Sequence, residues 1–383
     1  MAAPIVVVGA GLAGSATAWR LAERGAEVVL VEAVQPAHAG GSSHGSARIF
    51  RHAYPDELYA RLTLRALDGW RELEAASGRS LLTVTGGLDF GAHRPIAAMA
   101  RVLADLGLPG ELLGADAAHD RWPQLALDTP VLVQPGAGVL DAAAAVQEMT
   151  RLALDRGARL VTGWRLAGVD EGPAALRLLS TRGETLEAST VVVAAGGWLP
   201  ELLAALPLPA AARAAIPPFR VSQQQAFHFP FPVGAPSAAD GWPVFVDKGR
   251  LSVYCLPGGR DAGHAGFKIA EHDGGRTTTA SGRDGIVDPA ARERIVGYVR
   301  ERLPAVEAVP YAETTCLYTS TPAEDFVIDR VGRVVLASPC SGHGAKFAPL
   351  LGELIAGLAL GDGEVPERFR LGGGAPAPGT ASA

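Results

Sequence analysis

The periodic part of the chain opens with four uninterrupted apolar residues, Ile5–Val8. A β-branched run of this kind, with no polar alternation, predicts a strand buried on both faces. It leads directly into GAGLAG, residues 9–14, after which apolar positions recur at helical spacing from Leu12 to Leu21 and stop at Gly25. A second run, Val28–Val31, predicts another buried strand and ends at Glu32. The chain does not then continue as a regular β-α-β series. It enters a Gly/Ser/His-rich loop, Gly40–Gly45, and a basic stretch, Arg48–Tyr54. Far downstream, Ser189–Trp198 (STVVVAAGGW) reads as another buried strand with a small-residue turn at its end. Val221–Phe231, Val244–Leu256 and Gly266–His272 have strand-like composition and predict an antiparallel sheet. A final helix is expected over Phe347–Leu360, and exposed loops at His264 and Asp273–Gly282. There are no internal repeats.

The first of these patterns carries chemistry. Strand, glycine turn, helix, strand and acid follow one another within about thirty residues, which is the context that makes a G-x-G-x-x-G motif specific. Gly9 allows the tight turn, Gly11 lets the backbone approach a pyrophosphate, and Gly14 lets helix and strand pack closely. The helix N-terminus offers unpaired N–H groups to phosphate, and Glu32 can accept hydrogen bonds from ribose hydroxyls. The motif alone does not separate NAD from FAD. No second such motif is present, so an FAD enzyme built this way is expected to take electrons from an organic substrate rather than from NAD(P)H.

Composition narrows the field. Of 383 residues, 48% are hydrophobic and 19% charged, which excludes a mainly disordered chain. Asp and Glu outnumber Lys and Arg by 40 to 34, so the basic footprint of a nucleic-acid partner is absent. Three cysteines cannot build a disulfide framework and have no metal-ligand spacing, which points to a reducing, cytoplasmic compartment and no metal. The uncharged stretch Met1–Trp19 lacks the basic segment of a signal peptide, and its glycines make a poor membrane helix. Leu199–Pro218 is broken by prolines and Arg213, and Gly372–Ala383 reads as a disordered Gly/Pro/Ala tail. No lipidation signal is seen, so no membrane partner is expected. The 34 basic residues include three lysines, Lys248, Lys268 and Lys346, which makes the position of each informative.

Three further segments follow the glycine motif in order: GSSHGSARIFRHAY (41–54); YCLP and then GFKIAEH within Tyr254–His272; and CLYTSTPAEDFVIDR followed by SPCSGHGAKF within Cys316–Phe347. With them the chain, from about residue 4 to about residue 360, resembles the monomeric sarcosine oxidase and N-methyltryptophan oxidase family. These are FAD-dependent amine oxidases of the D-amino-acid-oxidase-like group. CLYT and SGHGAKF are far more specific than the glycine motif. The resemblance implies an α/β fold: a Rossmann-like FAD-binding domain over 1–82, 142–217 and 323–368, an α+β substrate domain with an antiparallel sheet over 83–141 and 218–322, and a flexible tail, 369–383.

It also implies roles, each of which stands beside a plainer reading. Cys316 would carry the flavin as an 8α thioether; alone it reads as a small buried hydrophobe. Lys268 would sit beside the flavin and assist oxygen; otherwise it is a surface lysine. Arg51 and Lys346 would hold a substrate carboxylate, or form a structural ion pair. Arg48 would lie near the flavin ring, where its charge favours the anionic reduced form. His44 and His272 match histidines that contact flavin or substrate, or are satisfied structural groups. Tyr254 and Tyr318 match aromatic positions around the substrate, or are core. Ser43, Val169, Gly196, Trp198 and the turn Ser341, Gly342, His343, Gly344 are expected along the cofactor, together with Lys346. Cys255 and Cys340 match no such position and read as structural. Ala345 stands where sarcosine oxidases carry a bulky aromatic, and Ser43 and Ser46 replace larger or charged residues, which puts sarcosine itself in doubt as the substrate.

The expected activity is oxidation of a secondary amine, an N-methyl or cyclic amino acid, to an imine, with O2 reduced to H2O2 by a monomeric enzyme. Three alternatives stay open: a tailoring enzyme acting on a pipecolate- or proline-like ring, an amine dehydrogenase with another acceptor, and a nucleotide-binding protein without turnover.

Overall fold

The structure, a computed structural model, describes residues 3–232, 241–263 and 266–373. His264 and most of the expected tail lie outside the described residues, as do Met1 and Ala2.

The β-branched runs assemble into one six-stranded sheet. Ile5–Val8 lies at its centre, parallel to Val28–Val31 on one side and to Thr190–Val193 on the other. Arg159–Val161 and Val334–Ser338 extend it in parallel, and Val327–Val331 adds an antiparallel edge. Both faces are covered, which is why these strands read as continuous apolar runs. On one face pack the helices Leu12–Glu23, Ala142–Asp155 and Ala348–Leu360. A Cβ on Gly352 would stand 2.5 Å from the Ala16 carbonyl carbon, so the first and last of these helices touch at backbone level. The other face carries a three-stranded antiparallel meander, Leu166–Glu171, Leu176–Ser180 and Thr185–Ala188.

The second large sheet has nine strands, with Arg220–Pro230 pairing Gly266–Glu271 and the long strand Ala312–Ser320. Expected Val244–Leu256 is a hairpin of two strands, Val244–Lys248 and Ser252–Pro257. The sheet is antiparallel with one exception: Gly87–Phe90 runs parallel to Val244–Lys248. Parallel neighbours need a long crossover, and residues 91–243, which pass through the other sheet, supply it.

This sheet's two-residue pleat decides where the chemistry lies. Phe245, Val253, Cys255, Phe267 and Ile269 point outward into an apolar core closed by Ile295, Tyr298 and Val299 of the helix Pro289–Arg302. Val246, Lys248, Ser252, Tyr254, Leu256 and Lys268 alternate with them and line a cavity on the inner face. A small sheet, Arg48–Phe50, Gly138–Leu140 and Leu82–Val84, adds to its wall through Arg48 and Ile49. Among the described residues no helix is long and apolar enough to cross a membrane.

Candidate active site

A cavity of about 750 Å³ runs from the glycine turn to the inner face of the nine-stranded sheet. That is within the roughly 300–1,000 Å³ of small-molecule sites.

Its first end is the dinucleotide fingerprint. Gly9 adopts φ +100°, a left-handed conformation, and a Cβ there would lie 2.5 Å from the Ala194 carbonyl oxygen. Gly14 is not on the wall: its Cβ would lie 1.7 Å from the Gly9 oxygen, so its contribution is close helix–strand contact. Glu32 is buried, its Oε2 accepting from the Ala10 N–H (2.8 Å) and Oε1 from the Val34 N–H (3.0 Å). Each oxygen keeps a lone pair for a ribose hydroxyl. Ser43 Oγ accepts from the Leu12 N–H at 3.0 Å, placing a hydroxyl at the start of the helix where a pyrophosphate would sit. Further along, Gly196, Trp198 and the wall residue Thr319, whose Oγ1 is buried without a partner, continue the cleft. This elongated, mixed donor and acceptor set fits FAD.

At the other end, the strand Ala312–Ser320 brings Cys316 and Tyr318 to the wall beside Tyr254 and Lys268. Cys316 forms no disulfide and is half-buried. Burial pushes the Tyr254 phenol up to about 12, and raises Tyr318 as well, so both stay protonated. Lys268 is buried, with Nζ donating to the Ala47 carbonyl at 3.3 Å. Burial and the Arg48 guanidinium bring it down to about 7, against the opposing pull of Cys316 and Asp261. Arg48 braces the preceding loop, donating from Nη2 to the carbonyls of Ser42 (2.9 Å) and His44 (2.7 Å).

Arg51 and Lys346 meet across Tyr54, a residue that sequence reasoning did not single out. The Arg51 guanidinium lies 4.5 Å above the Tyr54 ring and donates to the Ala53 carbonyl. Lys346 Nζ donates to the Tyr54 hydroxyl (2.9 Å) and the His343 carbonyl (2.8 Å). Tyr54 in turn contacts His343 Nδ1 at 3.1 Å, and His343 Nε2 contacts the Glu324 carbonyl at 2.9 Å. The chain of donors assigns the tautomer: Nε2 carries the proton and Nδ1 accepts. Burial and Lys346 hold this imidazole neutral, down to about 3. Trp70 Nε1 donates to the Lys346 carbonyl at 2.7 Å, fixing the turn from the helix Glu57–Ser77. Replacing Tyr54 by Phe should cost about 1–3 kcal/mol, because a lysine donor and an imidazole acceptor lose their buried partner. An unchanged urea midpoint would contradict this.

Ser341, Gly342, His343 and Gly344 line the wall as expected, with Ala345 and Lys346. Ser341 adopts φ +48°, in the left-handed region, and its N–H donates to the Thr319 carbonyl at 2.8 Å. His272 also lies on the wall; burial and the cations Lys248, Arg51 and Lys346 bring it down to about 4.

Two residues expected along the cofactor lie off the cavity wall. His44 is not on the wall; the Arg48 bonds fold the loop so that Ser42 and Ser43 face the cavity instead. Val169 is buried in the apolar core opposite Leu178, and Trp164, Arg165 and Leu166 line the cleft in its place. The expected structural Cys340 does reach the wall, its thiol pushed up to about 11 by burial, whereas Cys255 lies in the core. Sequence reasoning also passed over Lys248, Arg94 and Glu324, all wall residues. Lysine scarcity was a signal for Lys248; nothing in the sequence marks the other two.

Comparison with known proteins agrees with this geometry. A family model described as FAD dependent oxidoreductase (DAO) matches residues 4–358. Monomeric sarcosine oxidase of Bacillus sp. (strain B-0618) is 30% identical over 367 residues, 93% of this chain and 92% of that protein. N-methyl-L-tryptophan oxidase of Yersinia pestis (strain Pestoides F) is 29% identical over 364 residues, 92% and 93% of the two chains. Among solved structures, the open form of NikD, an amino acid oxidase essential for nikkomycin biosynthesis, superposes with TM-score 0.84 at 24% identity over 97% of both chains, a likeness of fold. L-proline dehydrogenase from P. horikoshii gives TM-score 0.82 at 21% identity, again over 97% of both. A glycine-turn nucleotide cleft joined to a cation-lined cavity, together with these matches, places the chain in the DAO family of FAD-dependent oxidoreductases, among its amine and amino-acid oxidases.

Proposed function

We propose that the protein oxidises a secondary amine bearing a carboxylate to an imine, reduces O2 to H2O2, and holds FAD covalently through Cys316. The observation that carries this reading is convergence. Cys316, Lys268, His272 and the Arg51–Lys346 pair, drawn from four separate segments, share one cavity wall with the nucleotide cleft.

Bound FAD supplies the acceptor for two electrons from the carbon next to the amine and passes them to O2. Arg51 and Lys346 hold the carboxylate, which fixes that carbon in place. Their charges, with Lys248, also disfavour a substrate ammonium, so the amine enters its reactive neutral form more readily. His272 is an uncharged imidazole at neutral pH and can accept a hydrogen bond from that amine. Lys268 presents a cation where O2 acquires negative charge. Tyr254 and Tyr318 stay protonated and offer hydroxyl donors. Ala345 leaves room beside Lys346, which favours substrates bulkier than sarcosine, a pipecolate- or proline-like ring included.

Oxygen uptake and peroxide formation with a panel of N-methyl and cyclic amino acids test the reaction. The reading fails if substrate is oxidised without either, as a dehydrogenase with another acceptor would do. For the attachment, acid precipitation of wild-type protein should leave the yellow colour in the pellet, and that of Cys316→Ala should release it to the supernatant. Colour in the wild-type supernatant would detach Cys316 from the flavin. The reading includes a cytoplasmic monomer.

A further inference from the structure

All three lysines of the chain line the cavity. Lys268 and Lys346 have binding roles above; Lys248 has so far contributed only its charge. It ends the strand Val244–Lys248, on the inner side of the pleat, while its neighbour Asp247 is buried on the other side against the Tyr298 hydroxyl (3.0 Å). Its ammonium forms no hydrogen bond or ion pair among the described residues, Glu324 included, although both line the same wall. Its cross-strand partner is Ser252, which lines the cavity and whose Oγ is buried without a partner. Direct antiparallel partners present their side chains to one face. A free cation and an orphaned hydroxyl therefore stand side by side.

The surrounding charge does not account for them. Arg94 is neutralised by Asp89, which takes its Nε at 2.8 Å. Arg51, Lys248 and Lys346 remain, against the solvent-exposed Glu324 at the wall. A single carboxylate on Arg51 and Lys346 leaves the half-buried Lys248 without a bonded partner at the cavity wall. Burial, with the Arg94 and Arg51 guanidiniums, lowers its proton affinity against the opposing pull of the Glu324 and Asp89 carboxylates, neither of which bonds to it.

We propose that the substrate carries a second acid group, and that Lys248 and Ser252 receive it: a dicarboxylic secondary amine. This rests on the carboxylate-binding reading of Arg51 and Lys346. Lys248 then discriminates between substrates with one acid group and those with two, and the room left by Ala345 admits the longer molecule.

Binding of unreactive thioether analogues tests this without turnover. The holoenzyme is titrated with methylthioacetate, which has one acid group, and with thiodiacetate and its homologues with one or two further methylenes. Calorimetry and the flavin difference spectrum report affinity. The best diacid should bind wild type about tenfold or more tightly than the monoacid, the effect of one added charged hydrogen bond. Lys248→Met should bring that ratio to about one, and Lys248→Arg should retain most of it. Equal binding of monoacid and diacids to wild type overturns the inference and leaves the proposed reaction standing. A ratio unchanged in Lys248→Met also overturns it. Failure of every analogue to bind overturns both this inference and the Arg51–Lys346 site.

Discussion

Lys268→Met should slow the reaction with O2 by about 10²–10³-fold while changing anaerobic reduction by substrate less than about threefold. The argument is one of timing. Charge appears on O2 only as it accepts an electron, so a fixed cation at that point lowers this barrier and no earlier one. Lys268 is suited to the task because the protein spends little of it: Nζ makes one long bond, 3.3 Å to the Ala47 carbonyl. Arg48, His44 and His228 face it as cations or neutral rings, and Asp261 as an acid. With its value at about 7, the ammonium predominates below that pH and is lost as pH rises through it. The oxygen step should therefore decline as pH rises above about 7 in wild type, and that decline should be missing in Lys268→Met. Equal slowing of both half-reactions would remove the oxygen role.

Arg51→Ala should weaken a carboxylate inhibitor by about 10–150-fold, and Lys346→Ala by less, at the lower end of that range. The order follows from donors left over. Lys346 has three N–H donors and commits two, to Tyr54 and the His343 carbonyl, so one is free for a ligand. Arg51 donates from Nη1 to the Ala53 carbonyl and rests its face on Tyr54, which leaves an edge to grip both carboxylate oxygens. Arg51→Lys should not restore affinity, because an ammonium has no second parallel donor. Direct titration gives the answer, and unchanged affinity in Arg51→Ala would withdraw the assignment.

The parts of this molecule that were legible in advance are those whose cause is local. Ile5–Val8, the glycines and Glu32 declare strand, turn and acid by composition alone, and with Val28–Val31 and Thr190–Val193 they give three strands of the six-stranded sheet. The pleat around Lys268 was legible for the same reason, since Phe267 and Ile269 flank it. What was hidden depends on which distant segments meet. Tyr54 matters because Lys346, 292 positions away, donates to it. Lys248 gains its setting from Ser252 across a turn and from Arg94 of another segment. The parallel pairing of Gly87–Phe90 rests on a crossover of about 150 residues that no short pattern encodes. His44 and Val169 lie off the wall because loop bracing by Arg48 and a register shift between Leu166 and Gly168 decide which side chains face the cleft.

Anaerobic mixing of the yellow holoenzyme with matched pairs of secondary amino acids and their methyl esters tests the central claim most directly. Bleaching by at least one free acid, at least about tenfold faster than by its ester at subsaturating concentration, is the predicted result. Equal bleaching by acid and ester, or none by any pair, would contradict it.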